Sequence, residues 1–232
     1  MHANMKKHIP NCLSLLNLSS GAIGTLLALN GHLIYAAYSI FVGACFDFLD
    51  GFAAKLLRAQ SSVGKQLDTL ADLITFGMLP AAICYMLIKT YETCPYRPYC
   101  ALFIIIFSAL RLAKFNVDPR QVDQFIGLPT PANAMLIAIL PIMVERSVYP
   151  FLVHGLTQTM VLPLLTILLS YLLVANIPFI ALKFQGFSFQ ANRARYFLIV
   201  VCTVLIATMH IEGLFCSLWL YILHGLYKAK IG

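Results

Sequence analysis

Apolar runs of about 20 residues, separated by short polar loops, recur along nearly the whole chain. A run of that length is what an α-helix needs to cross the hydrocarbon of a bilayer. In lipid every backbone polar group must be satisfied within the protein, so repeated runs of this kind admit very few architectures. Composition agrees. The chain is 60% hydrophobic and 11% charged, with a mean hydropathy of +0.84, whereas a soluble domain carries about 25% charge. The expected fold is an all-α polytopic membrane protein. No repeat and no soluble domain is visible, so residues 1–232 read as one integral-membrane domain.

The runs predict about eight transmembrane helices, near residues 11–30, 33–57, 63–89, 99–116, 131–148, 157–182, 194–210 and 212–228. The fifth is short and contains Pro141, and a tight turn near Glu212–Gly213 separates the last two. No cleavable leader is expected, because no small-residue cleavage site follows the basic start. With the N-terminus inside, only Lys89, Arg97 and Arg146 of the 16 Lys and Arg residues fall outside. That bias predicts both termini on the cytoplasmic side. The net charge of +7 then reads as orientation and attraction to anionic lipid headgroups, not as a nucleic-acid surface. The seven cysteines include no metal-type pair. Cys94 and Cys100 flank one loop, where a disulfide requires the oxidising side of the membrane. The six histidines are dispersed without ligand spacing.

Against this apolar background stands "FDFLDGFAAKLLRAQSSVGKQLDTLADLITFG", residues 46–77, which holds Asp47, Asp50, Asp68 and Asp72, four of only nine acidic residues. The first two are three apart near the inner end of the second helix, and the last two are four apart near the start of the third. Both spacings put a pair on one helix face. A short cytoplasmic turn joins the helices into an antiparallel hairpin, so the four carboxylates can converge just inside the membrane boundary. There they must take up protons or bind cations, and hard divalent cations suit oxygen ligands. Two such ions are a known device for phosphoryl transfer. Gly51, Ala54 and Gly64 share these faces, leaving room for a nucleotide or for close helix packing. Intramembrane carboxylates also mark ion pathways, so spacing alone leaves a cation transporter open.

The stretch resembles the signature of the CDP-alcohol phosphotransferase family, D-x2-D-G-x2-A-R-x8-G-x3-D-x3-D. Here it reads Asp47, Asp50, Gly51, Ala54, Lys55 in the arginine place, Gly64, Asp68 and Asp72. Lys55 keeps the charge but lacks the bidentate fork. "HIPNCLSLLNLSSG", "RLAKFNV" and "FIGLPTPANA" are similar to segments of the phosphatidylserine-forming branch. The resemblance implies a six-helix core, here with two helices added, and a homodimer. It also implies transfer of a phosphatidyl group from CDP-diacylglycerol to L-serine, with release of CMP and dependence on Mg2+ or Mn2+, two ions being expected. By the same resemblance Asp47, Asp50, Asp68 and Asp72 ligate the metals and Asp72 is the catalytic base. Asn11, Asp50, Gly51, Ala54, Lys55 and Gly64 would bind the CDP moiety. Arg111, Lys114 and Asn116 are candidates for the serine or a lipid phosphate. The rival readings are the same chemistry on glycerol 3-phosphate or inositol phosphate, and a cation transporter.

Overall fold

The computed structural model describes residues 8–59, 61–117, 125–146, 148–179 and 189–231. The chain enters as α1 (His8–Leu29), turns at Gly31 and returns as α2 (Leu33–Leu56). A third helical run, α3 (Ser62–Tyr91), contains a π-helical turn at Ile74–Met78. A 3-10 turn opens α4 (Arg97–Val117). Then come β1 (Phe125–Ile126), α5 (Thr130–Arg146), α6 (Pro150–Leu156), α7 (Val161–Val174), β2 (Pro178–Phe179) and α8 (Phe189–Ile231).

The membrane character is written into α1. Its buried stripe is small and polar: Ser14, Asn17, Gly21, Gly24, Thr25 and Ala28. Its exposed face carries Leu15, Leu16, Ile23 and Leu26. A water-soluble helix would reverse this. In lipid, large apolar side chains cost nothing on the outside, and small residues inside let backbones approach. Close approach is realised at Gly43, where a Cβ would collide with Thr75 of the π turn. Gly21 meets the same threonine from the other side.

Among the described residues, five helices are long and apolar enough to cross a membrane, and six if the bent pair α6 and α7 counts as one span. This is fewer than the eight crossings expected. The fifth expected helix is continuous through Pro141 but has only 17 residues, and it is the most enclosed element, with Leu136, Ile137, Ala138 and Ile139 fully buried. The sixth, expected over 157–182, is observed as the 14-residue α7, which the short α6 precedes at 76° across Met160, left-handed at φ 75°. The last two expected helices both lie within α8, separated by a reversal at His210 (φ 51°, ψ −113°), slightly before the expected turn. The reversal is sharp enough to bring Ser217 Oγ within 3.5 Å of the Cys202 carbonyl.

β1 and β2 pair antiparallel, Phe125 opposite Phe179 and Ile126 opposite Pro178. The chain then turns at Gly127, whose φ of 84° and close approach to the Leu173 carbonyl both require glycine. This clamp delivers the chain to the first turn of α5. Cys94 and Cys100 are free thiols. Their loop is instead closed by an ion pair between Glu92 and Arg97. Of the expected cytoplasmic charges, Lys6, Lys7, Arg120 and Lys183 lie outside the described residues.

A carboxylate cluster and nucleotide-sized cavity at the end of a helix hairpin

The α2–α3 connection is fixed by two local devices. At the end of α2, Ala59 N donates to Ala54 O at 3.0 Å with Arg58 left-handed at φ 50°, the hydrogen-bond pattern of a Schellman cap. At the start of α3, Ser61 Oγ accepts from Gly64 N at 2.9 Å, a standard N-cap. With both ends set, Asp47 and Asp50 in the inner turns of α2 face Asp68 and Asp72 in the first turns of α3. One carboxylate oxygen from each of Asp47, Asp50 and Asp68 lies within 4.8 Å of the others. Asp47 also stands against Asp72. Three of the four expected aspartates therefore converge, and Asp72 adjoins Asp47.

Helix α1 orients this cluster. Ser14 Oγ donates to Asp50 Oδ2 at 2.6 Å. Asn17 Nδ2 donates to Asp72 Oδ1 at 3.3 Å. Asn17 is itself pinned, because Thr75 Oγ1 donates to its carbonyl at 2.9 Å. The π turn carrying Thr75 begins two residues after Asp72. Such turns occur where a helix face must be re-aimed, often at functional sites. Ser14 and Asn17 were not among the expected site residues. Their signal was present as polar side chains three apart on the small-residue face of an apolar helix.

A cavity of about 540 Å3 opens beside the cluster, bounded by Asn11 and Ser14 of α1, Asp50, Gly51 and Ala54 of α2, and Gly64 and Asp68 of α3. This is within the ~300–1,000 Å3 range of small-molecule sites. Its two glycines differ. A Cβ on Gly51 would meet nothing within 4 Å, whereas one on Gly64 would stand 2.9 Å from Asn11 Oδ1 and 3.0 Å from Ser61 Oγ. Gly51 thus leaves space for a ligand, and Gly64 lets α1 approach α3. Asn11 lines the same cavity. Lys55 is exposed and is not part of the cavity wall, whereas Lys65, one turn into α3, is. The cation facing the cavity is therefore displaced from the motif position.

Outside the cavity lining, Arg111 is buried at 6% exposure. Its Nη1 donates to Thr130 Oγ1 at 3.1 Å and its guanidinium lies 5.7 Å from the Phe115 ring centre. It is close enough to Asp72 for their charges to interact. Asn116 Nδ2 donates to Thr69 Oγ1 at 3.0 Å, tying α4 to the same turn of α3. Lys114 is exposed and joins neither group.

The donor set fits a hard divalent cation. All the converging atoms are carboxylate oxygens, and Asp68 Oδ1 is buried without a hydrogen-bond partner. Oxygen-only donors select Mg2+, Mn2+ or Ca2+ over softer metals.

Comparison with known proteins agrees with this geometry. The profile of a family described as CDP-alcohol phosphatidyltransferase matches residues 7–175. A CDP-diacylglycerol–serine O-phosphatidyltransferase of Bacillus subtilis strain 168 is 40% identical over 136 residues, covering 57% of this chain and 75% of the relative. An enzyme of the same name from Helicobacter pylori strain 26695 is 29% identical over 221 residues, covering 94% and 90%. An archaetidylserine synthase of Methanothermobacter thermautotrophicus is 33% identical over 132 residues, covering 56% of each. The family match spans both helices of the hairpin, the helix that orients it and the buried Arg111, and the chain belongs to the CDP-alcohol phosphatidyltransferase family.

Proposed function

We propose that the chain is a CDP-diacylglycerol–serine O-phosphatidyltransferase. The observation that carries this reading is the carboxylate cluster, within 4.8 Å, opening onto a nucleotide-sized cavity at the end of a membrane hairpin. The names of the relatives support serine as the acceptor.

In this reading the CDP group occupies the cavity against Gly51, Ala54, Gly64 and Asn11, with Asp50 at its edge. The acyl chains stay in the bilayer. Lys65, with Lys55 further out, supplies positive charge toward the phosphates. Asp47, Asp50, Asp68 and Asp72 hold Mg2+ or Mn2+, two ions in all. Bound cations supply charge neutralisation at the pyrophosphate and at the leaving oxygen. Asp72, oriented by Asn17, accepts the proton of the serine hydroxyl as that oxygen forms its bond to the phosphatidyl phosphorus. The bond from that phosphorus to the CMP oxygen breaks in line. A serine hydroxyl is a weak nucleophile at neutral pH, so a positioned base is needed. Arg111 receives the serine carboxylate, while Asn116 fixes α4 against α3 and Lys114 meets headgroup phosphates.

The same reading places both termini and the active site on the cytoplasmic side of an integral membrane protein. It counts eight crossings, α5 and the two arms of α8 being separate spans, and a homodimer in the bilayer. The deciding experiment supplies purified protein with labelled CDP-diacylglycerol, Mg2+ or Mn2+, and each alcohol in turn. CMP release and lipid product are expected with serine. Product with glycerol 3-phosphate but not with serine would overturn the acceptor assignment.

A further inference from the structure

Arg111 and two buried side chains, Ser108 and Asn133, carry polar atoms that the fold does not satisfy. Asn133 is 0% exposed, and both Oδ1 and Nδ2 lack a hydrogen-bond partner. Ser108 is 0% exposed, and its Oγ lacks one as well. Arg111 Nε is also buried and unpartnered. Such atoms are rare in native interiors, and each costs about 1–3 kcal/mol when left unpaired. Helical spacing and one hydrogen bond relate them. Ser108 and Arg111 are three apart on α4, and Thr130 and Asn133 are three apart on α5, so each pair shares a helix face. The Arg111–Thr130 hydrogen bond at 3.1 Å joins the two faces. Ser108 packs on Gly77 of the π turn, where a Cβ would stand 3.2 Å from the serine Cβ. Arg111 in turn faces Asp72.

The inventory has a definite chemistry: one cationic donor, one neutral amide offering an acceptor and a donor, and one hydroxyl. A phosphorylated alcohol would call for several cations. A zwitterion calls for a donor to its carboxylate and an acceptor for its ammonium. We propose that Asn133 is a specificity-determining residue for the acceptor, its Oδ1 receiving the ammonium of an α-amino acid whose carboxylate lies on Arg111. This rests on the serine reaction proposed above and adds a residue to it.

The test is Asn133→Leu, close in volume and without polar atoms. Removing an unpaired buried amide should leave Tm equal or higher, as expected where a functional residue is carried at a cost in stability. The KM for serine should rise about tenfold or more, since a hydrogen bond to a charged group contributes about 1.5–3 kcal/mol. The KM for CDP-diacylglycerol should stay within about twofold, on the same principle that distant sites do not couple. Inhibition by 3-hydroxypropanoate, which has the carboxylate but no amine, should be unchanged. Asn133→Ala serves as the second variant if Leu does not fold. Wild-type turnover with an unaltered serine KM in a folded variant overturns this inference alone, and indicates that only water fills the cluster. A lower Tm with both KM values raised together assigns Asn133 to structure and overturns it too. A wild-type enzyme that does not use serine overturns the reaction itself, and this inference with it.

Discussion

Asn17 donates its amide to Asp72 Oδ1 at 3.3 Å across 55 residues of sequence. The bond links the first helix to the last aspartate of the motif. Asn17 is fully buried, and its backbone is held by Thr75, so the amide has little freedom to turn away. The arrangement assigns orientation to Asn17 and proton transfer to Asp72. Asp72→Asn should lower kcat by roughly 10²–10⁴-fold, the usual worth of a positioned base. Asn17→Ala should lower kcat by about tenfold, the loss of one charge-assisted hydrogen bond, with little change in either KM. Steady-state CMP release measures both. Equal losses in the two variants would mean that Asn17 does more than orient, and wild-type turnover in Asp72→Asn would remove the base from the mechanism.

Gly51 separates stability from activity. A Cβ there meets nothing within 4 Å, and the residue is helical. Gly51→Leu should therefore fold at least as well as the wild type, because glycine in a helix interior costs about 1 kcal/mol relative to a good helix former. Its side chain would occupy the cavity. The KM for CDP-diacylglycerol should rise by about tenfold or more while Tm holds or increases, as when a pocket is filled by ~1.5–3 kcal/mol of apolar side chain. Unchanged CDP-diacylglycerol kinetics would mean that the nucleotide lies elsewhere.

The hairpin and its four aspartates were legible in the sequence because helical spacing alone sets which residues share a face. Gly64 was legible as part of the motif, and in the structure it adjoins Asn11. Other features were not. Lys55 sits in the motif's cationic place, yet Lys65 faces the cavity, because the Arg58 cap sets how α3 enters and no residue pattern encodes that rotation. The π turn at Ile74–Met78 arises from packing of Thr75 between two glycines on separate helices, a tertiary demand invisible in local propensity. Asn133 lay inside a segment quoted only for its likeness to the phosphatidylserine-forming branch. Its significance is a missing partner, which only a three-dimensional inventory reveals. The crossings were partly legible: the short fifth helix and a reversal close to His210 were visible in the sequence, whereas the 76° bend between α6 and α7 was not.

Arg58 offers a test of the hairpin cap. It is left-handed at φ 50°, where a side chain costs roughly 1 kcal/mol that glycine avoids. Arg58→Gly should raise Tm by a few degrees while leaving CDP-diacylglycerol and serine KM unchanged, as measured by thermal unfolding in detergent. A fall in Tm would show that the guanidinium contributes more, through headgroup contacts, than the backbone strain costs. Impaired kinetics would place Arg58 in the site.

Glu92 gives the fold a pH dependence outside the membrane-spanning helices. Its carboxylate accepts hydrogen bonds from Met160 N and from Arg97, and these partners hold its pKa below the ordinary 4.5. A group whose folded pKa is depressed stabilises the fold fully above the unfolded value, and that stabilisation is lost as pH falls through the folded one. Glu92 thereby ties the end of α3 to the left-handed Met160 between α6 and α7. Glu92→Gln should lower Tm at pH 7, and the gap to the wild type should persist down to about 4.5 and close below it. Thermal unfolding of both proteins across that range measures the effect. A gap that stays constant through acid would mean that packing of the side chain, not its charge, holds the loop.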